Sequence, residues 1–441
     1  MWKYVLVFIL FLPDHGFSSD KLSIISPHRK SIQQEFVPKF KEYYKKKYNS
    51  TVEVEWIDQG GTESDLRFLY NRYKSSPESS GIDIFWGGGD LTFLDLEKKN
   101  LLEPIVLNKK IDTEIADEIV GLPLKSKSKS WYSTAISSFG IFYNKKLLKL
   151  QKMKFPTTWT DLSKPEYYQS ISVANPSHSS TSLLMNLIVL KAEGWENGWK
   201  TLMGIAGNTN RFTHSSSDPI KAVVSGDSSI ATAIDFYAYA KITDLGETNL
   251  GFVLPKNKTI FNSDPIAVLK GAPNMKPSKR FLEWILSKEA QALFFLPEGH
   301  KNGPKFSTLG RMAVNHLAYK ENQAQSSKVL NPYKIREKNL KLDYKKFLKL
   351  KGILKDHIFA VQIAPHKKLK QAWKKIIEKK TLTEQFKNFA KPFLTEKELL
   401  NLATKWNNNK FRNHHMNKWT LEATSRYEKI ITETSKRLAS Y

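Results

Sequence analysis

From Lys21 onward, apolar and polar positions fall into short alternations separated by longer helical stripes. KLSIIS is a strand-like run that ends at Pro27 and His28. After it, Ile32, Phe36, Val37, Phe40, Tyr43 and Tyr44 recur at the three-and-four spacing of one helix face. TVEVEWID alternates as a half-buried strand does, and GGTES leads into the helical DLRFLYNRYK. GIDIFWGGGD reads as a buried strand closing on glycines, with LTFLDLEKKNLLEP as the helix and exit behind it. Strands alternating with helices predict an α/β fold with a mainly parallel sheet and ligands at the carboxyl ends of its strands.

A second unit opens near SSFGIFYNKKLL. It holds the strand SISVANP, helices over residues 181–193 and 195–205, and the stretch FTHSSSDPIKAVVSGDSSIATAIDFYAYA. SDPIAVLKGAP, with KPSKRFLEWILSKEAQALFF behind it, predicts a return to the first sheet. From about residue 310 the chain is Lys-rich and helical, with breaks at Asn331-Pro332, Ala364-Pro365 and Lys391-Pro392. No repeat at solenoid spacing is present.

The helix starts carry the first chemical signal. SPHRKS, GGTES, HSSTS and SSSDP each place small hydroxyl residues ahead of an apolar helix, where their oxygens cap orphan backbone N–H groups. Pro219 suits the first turn of the last of these. One such cap is ordinary in any α/β protein. Four, each just after a strand, put positive helix ends at the carboxyl edges of two sheets and prepare the place for an anion. Gly60, Gly61 and Gly87 to Gly89 let backbone approach a ligand closely. The candidate ligand residues of the first unit are His28, Gly61, Thr62, Glu63, Gly88, Gly89 and Asp90. Those of the second are Ser138, Ser179, Ser180, Thr181, His214, Ser215, Ser216, Asp235 and Tyr237.

Composition narrows the classes. A chain of 441 residues has room for two ordinary cores. With 40% hydrophobic and 25% charged residues it is not a disordered chain. A net charge of +26 favours anionic partners. Yet the lysines of KEYYKKKY and LKQAWKKIIEKK interleave with apolar positions, as solvated helix faces do. MWKYVLVFILFLPDHGFSS has Lys3, an apolar run to Leu12, Pro13 and then small residues, which reads as a cleavable signal peptide over residues 1–18. That run is too short to span a bilayer.

The absence of cysteine excludes disulfides, thiolate metal sites and an N-terminal lipid anchor, so the expected place is the periplasm. No GxSxG, HExxH, Walker loop or dinucleotide glycine pattern occurs, so neither an enzyme nor a cofactor is expected. A hydrolase built on carboxylates from Glu63, Asp90 and Asp235 stays open as an alternative. So does a basic envelope protein that binds a polyanion through the Lys-rich region. No nucleic-acid motif is found, and a monomer is expected.

The order KLSIISPH, VEVEWIDQGGTES, DIFWGGGDLTFLDLEKKNLLEP, SFGIFYNKKLL, FTHSSSDPIKAVVSGDSSIATAIDFYA and FLEWILSKEAQALF resembles the periplasmic solute-binding proteins of ABC importers. Within these it is similar to the ferric-iron, phosphonate and sugar-phosphate group of the type II fold. The resemblance covers residues from about 21 to about 310. It implies two α/β lobes with hinge crossovers near residues 137–140 and 254–262, and a ligand held between them for an inner-membrane permease. The lobes would take residues 19–137 with 259–310, and 138–258. An α-helical C-terminal extension, residues 311–441, would pack on the second lobe. Ferric-binding members use a histidine, a glutamate and two adjacent tyrosines. Here His28 matches the first, the glutamate falls at Gly88 with Asp90 two residues on, and the tyrosine pair reads Phe236-Tyr237 with Tyr239 beyond. The altered positions favour an organic phosphate or phosphonate; the iron reading would use His28, Tyr237 and Tyr239.

Overall fold

The computed structural model describes residues 19–322, 328–378 and 384–436. The expected signal peptide, residues 1–18, lies outside the described residues. No described helix is long and apolar enough to cross a membrane.

Three βα units open the chain: β1 (Asp20–Ile25) and α1 (Lys30–Tyr48), β2 (Val52–Ile57) and α2 (Thr62–Ser75), β3 (Ile84–Trp86) and α3 (Asp90–Lys98). The short β4 (Leu102–Glu103), α4 (Lys109–Thr113) and the hairpin of β5 (Glu118–Ile119) and β6 (Leu122–Pro123) lead to β7 (Tyr132–Asn144), the longest strand. Next come α5 (Lys145–Leu150), β8 (Ile171–Ala174), α6 (Ser180–Glu193), α7 (Trp195–Asn208), β9 (Thr209–Thr213), α8 (Asp218–Ser225), β10 (Ile230–Ile234), α9 (Asp235–Leu245) and β11 (Leu250–Val253). The chain then returns through β12 (Phe261–Leu269), α10 (Met275–Ile285), α11 (Lys288–Phe295), β13 (Met312–Ala313) and α12 (His316–Glu321). It ends in α13 (Tyr344–Ile358), α14 (His366–Glu378), α15 (Glu384–Ala390), α16 (Glu396–Ala403) and α17 (Asn409–Lys436).

The main sheet runs β2-β1-β3-β12-β7-β10-β8-β9. β7 serves both halves. Its first part pairs with β12, ending at Ser138 against Phe261. Its second part pairs with β10 from Phe139 against Ile234, and with β11. The chain therefore changes lobes within one strand, and crosses back over residues 254–260 between β11 and β12. β1, β2 and β3 are parallel, so their carboxyl ends lie side by side next to the beginning of antiparallel β12. β8, β9 and β10 are parallel too, and their carboxyl ends lie beside the middle of β7. Both sets of strand ends thus face the crossover. This is where open α/β sheets bind ligands.

Each half has its own core. Phe36, Phe40, Trp86, Phe281, Trp284 and Phe294 fill the first, and Trp159, Trp199, Leu202 and Ile230 the second. The expected boundary at residue 311 needs correction. Met312 and Ala313 pair with Ile136 and Ala135 of β7, and Val314, Ala318 and Tyr319 join the first core. That apolar run completes the first lobe's sheet edge, and the separate helical region begins after it.

The helices from α13 onward share the second core. Gly207 on α7 leaves the space that the Trp373 ring fills, a Cβ there standing 2.5 Å from the ring. The Trp373 indole N–H donates to Asn208 at 2.7 Å, and Trp195 donates to the Leu394 carbonyl at 2.9 Å. Trp373 stacks on Phe389 and Trp406 on Trp419. A buried His357 sits edge-on to Trp199 and Trp419.

Candidate functional site

The floor of the cleft is built where β7 changes lobes. Pro265 lacks an N–H for the ladder, and the register of β12 on β7 breaks between Asp264 and Pro265. The bulge turns the Asp264 carboxylate inward. There it accepts from His28 Nε2 at 2.7 Å and from Arg311 Nη1 at 2.5 Å, with all three side chains buried. Arg311 arrives by a loop that α1 holds. Buried Glu35 accepts the backbone N–H groups of Lys305, Phe306 and Ser307.

The His28 ring is held from both sides. Burial lowers its pKa, against the pull of Asp264. Ser26 Oγ lies 3.0 Å from Nδ1 and also accepts the His28 backbone N–H, which leaves Nε2–H for Asp264. Burial raises the Asp264 carboxyl, but its partners outweigh that and hold it at about 2. Those partners are His28 first and Arg311 second, through their fields and the hydrogen bonds they donate. The Arg311 Nε is buried without a protein partner.

Three glycines in a row line the next part of the wall. Gly87, Gly88 and Gly89 have φ of 97°, 91° and 82°. Added Cβ atoms there would stand 2.6 Å from His28, 2.7 Å from Thr62 and 3.2 Å from Asn262. This close approach gathers His28, Thr62, Asn262 and the Gly87–Gly89 backbone at one place. It also sets α3 to begin at Asp90, whose carboxyl burial pushes up to about 6. Glu63, in the first turn of α2, forms an ion pair with Lys351 at 2.7 Å.

From the second lobe, buried Asp235 opens α9. Its carboxylate accepts from Ser138 Oγ at 3.2 Å and from the Phe236 N–H at 2.7 Å, and burial raises its pKa to about 7. Arg311 lies over the Phe236 ring at 4.3 Å. Arg29 of the first lobe lies over the Tyr237 ring of the second at 4.7 Å. Arg29 keeps accessible surface, yet protein crowds it on most sides and lowers its pKa. That combination belongs to a guanidinium in a narrow cleft that water still reaches.

The serine-rich loops have a different character. Of the four expected side-chain caps only one forms, Ser179 accepting from the Ser182 N–H at 3.1 Å. α1, α2 and α8 start at Arg29, Gly61 and Ser217 without a side-chain cap. The correction has a local cause. The two residues ahead of α1 and α2 are an arginine and a glycine, and Ser217 is already helical. Ser215 gives its N–H to Asp218 at 2.9 Å and its hydroxyl lies 3.1 Å from that of Ser217. His214 stacks on His178, ring centroids 4.3 Å apart, joining this loop to the one bearing Ser179, Ser180 and Thr181. A groove of about 410 Å³ beside them is lined by Arg211, Thr213, Asp218, Lys221 and Asp227, with its cations paired to its carboxylates.

Of the residues named for iron, Tyr239 turns away from Tyr237. Positions 237 and 239 are two apart on α9, so their side chains diverge by about 200° around it. Tyr239 packs edge-on to Phe252 in the first core, and burial raises its phenol far above the usual range. Both ring nitrogens of His28 are engaged. Among the described residues, no group of three His, Asp or Glu side chains stands in metal-binding positions.

Sequence reasoning missed Arg29, Asn262, Asp264 and Arg311. Arg29 follows His28 directly, so the loop was in view; the other three come from the return strand and the segment after α11, which had been read as scaffold.

Residues 82–296 match the family of bacterial extracellular solute-binding proteins. The chain is 27% identical over 199 residues to the phosphoglycerate transport regulatory protein of Salmonella typhimurium, covering 45% of this chain and 48% of that one. It spans about half the length of the curated relatives it matches. The periplasmic binding protein AfuA from Actinobacillus pleuropneumoniae, with exogenous fructose-6-phosphate bound, is similar with a TM-score of 0.50 at 20% identity over 68% of this chain and 86% of that chain. The apo ferric ion-binding protein A of Pasteurella haemolytica is similar with a TM-score of 0.54 at 14% identity over 77% and 97%. The fold is the two-lobed type II fold of these periplasmic binding proteins, with a helical C-terminal region.

Proposed function

Taking the chain as a relative of the bacterial extracellular solute-binding proteins, we propose that it is the substrate-binding component of an ABC importer. It works in the periplasm, captures a small organic phosphate or phosphonate between its lobes, and hands it to a membrane permease. No reaction is catalysed.

The observation that carries the choice of ligand is Arg29. It is the cation of the cleft that keeps solvent access, it stands between the lobes over Tyr237, and no carboxylate pairs with it in an ion pair among the described residues. Arg311 is committed to Asp264, although its buried Nε has no hydrogen-bond partner among the described residues and is left for a ligand acceptor. A guanidinium with glycine backbone beside it suits a phosphoryl group. Asp235 and Asp90, both raised towards neutral pH, suit the hydroxyls of the rest of such a ligand better than a trivalent cation. The bound sugar phosphate of one structural relative and the name of the Salmonella relative point the same way. Ferric iron remains the competing cargo because a ferric ion-binding protein shares the fold.

Thermal unfolding of ligand-stripped protein separates the two. Fructose 6-phosphate, phosphoglycerate, inorganic phosphate and ferric citrate would each be added in excess. A ligand at about a hundred times its dissociation constant stabilises by about 2.7 kcal/mol. A shift with a phosphate ester is expected; a shift with ferric citrate alone would sink the organic-anion reading.

A further inference from the structure

α13 has two faces with different neighbours. Leu350, Ile353, Leu354 and Ile358 are buried in the second core. Tyr344, Leu348 and Lys351 recur at intervals of four and three, which places them on one stripe that borders the buried face. That stripe is turned to the first lobe. Lys351 Nζ meets Glu63 Oε1 at 2.7 Å, at the start of α2. Tyr344 lies within the field of Asp90, at the start of α3, which adds to burial in raising its pKa. Leu348, between them, is 52% exposed.

The segment ahead of the helix is fastened to the second crossover. Leu340 N–H donates to the Thr259 carbonyl at 3.0 Å, Phe261 N–H to Asn339 at 2.9 Å, and Lys338 N–H to Asn257 at 2.8 Å. Asp343 then caps α13 by accepting the Lys346 N–H. The helix is thus anchored on the second lobe and on a crossover, and it reaches the two first-lobe helix starts that flank the glycine loop.

We propose that α13 is a third wall of the ligand cleft, and that Tyr344 and Lys351 are specificity-determining residues which the C-terminal region adds to the two-lobed site. The idea rests on reading the cleft as the ligand site. A wall of this kind limits how far a ligand extends past the glycine loop, and it places an ammonium on Glu63 and a phenol within the field of Asp90. Because the Lys351–Glu63 pair is exposed, its partners exchange readily, and a second acidic group on a ligand competes with Glu63 for the ammonium.

The chain has no cysteine, so one introduced thiol is a clean reporter. In a Thr62→Cys protein, maleimide alkylation is expected to become about fivefold faster when Tyr344→Ala and Lys351→Ala are added, the factor that about 1 kcal/mol of lost contact gives. Equal rates would overturn the proposal. In the second arm, fructose 6-phosphate is titrated into the full chain with and without the same pair of changes, Thr62 being left native. Weaker binding by a similar factor is expected, and unchanged binding would also overturn it. Lys351→Gln alone guards against a folding defect in the double variant. Should the unaltered protein take up none of the phosphorylated probes, the proposed function fails by itself, while the alkylation rates still decide whether α13 covers the cleft.

Discussion

The loops of the two lobes solve the same local problem in opposite ways. Each lobe brings helix starts to the carboxyl edge of a parallel sheet. In the second lobe the serine-rich loops bond within themselves: Ser179 caps α6, Asp218 takes the Ser215 N–H, and Ser215 and Ser217 face each other, while α8 itself starts without a side-chain cap. In the first lobe no serine stands at the cap position. Glycine or arginine precedes α1, α2 and α3, and none has a side-chain cap. The exposed Arg29 stands on this side of the cleft, opposite Asp235 and Tyr237. In this chain the serine-rich loops bond within themselves, and the solvent-reached Arg29 stands at a helix start without a side-chain cap.

The comparison would break most visibly at Arg311. It is a buried cation that, with His28, keeps Asp264 ionised, and Asp264 in turn fixes His28. Arg311→Met leaves the buried Asp264 carboxylate with the His28 imidazole as its remaining side-chain partner among the described residues. A loss of about 3–5 kcal/mol is expected, read by urea unfolding at neutral pH. The sign with pH follows from the depressed Asp264 pKa. Its contribution is present above the ordinary carboxylate pKa and is lost as pH falls through about 2. A small loss would mean that the first lobe's side of the cleft is held by packing alone.

Arg29→Gln tests the open side directly. The side chain meets Phe236 and Tyr237 across the cleft and carries no ion pair among the described residues, so folding should be little changed. A charge-assisted contact to a phosphoryl group is worth about 1.5–3 kcal/mol, so affinity for an organic phosphate should fall by a factor of about 10 to 150. Calorimetry with the phosphate ester that the thermal panel identifies measures it. Unchanged affinity would move the anion away from Arg29.

Asp235 sharpens the same contrast from the second lobe. Its pKa of about 7 means that it loses its proton as the solution becomes mildly basic, and a carboxylate then faces the anion. Affinity for a phosphate ester should drop above pH 7 in the native protein and stay flatter in Asp235→Asn, with the ester's own titration common to both. The difference should approach about tenfold, or ~1.4 kcal/mol. Parallel profiles would show that Asp235 does not meet the ligand.

Much of this was legible in the chain. The first three βα units follow from alternation and helical stripes, and the glycine loop after β3 from GGG in GIDIFWGGGD. The floor of the cleft was not. His28 and Asp264 are 236 residues apart, and no local pattern pairs them. Asp264 sits in a strand whose apolar run reads as core; the inward turn comes from Pro265 breaking the ladder against β7. The span of α13 was hidden for the same reason. Its buried face sets the amphipathic pattern, while Lys351 looks like any solvated lysine until α2 is placed beside it.

The smallest expected effect decides what the run of serines is for. FTHSSSDP carries the hydroxyls that sequence reading assigned to an anion, and in the structure Ser215 and Ser217 face each other while Ser215 gives its N–H to Asp218. Ser215→Ala removes one hydroxyl–hydroxyl contact at a half-buried site and leaves the Ser215 N–H bond to Asp218 in place. Ser216→Ala changes a half-buried neighbour. Each should cost no more than about 0.5 kcal/mol of stability, and neither should alter affinity for the phosphate ester. Ser179→Ala gives the scale, because it removes a true cap and should cost about 1 kcal/mol, again with binding unchanged. If a serine change instead weakens binding as Arg29→Gln does, the second lobe supplies anion donors after all. The loop would then have to open its own hydrogen bonds when ligand arrives, and part of the binding energy would go into undoing the self-satisfied arrangement that distinguishes this lobe from the other.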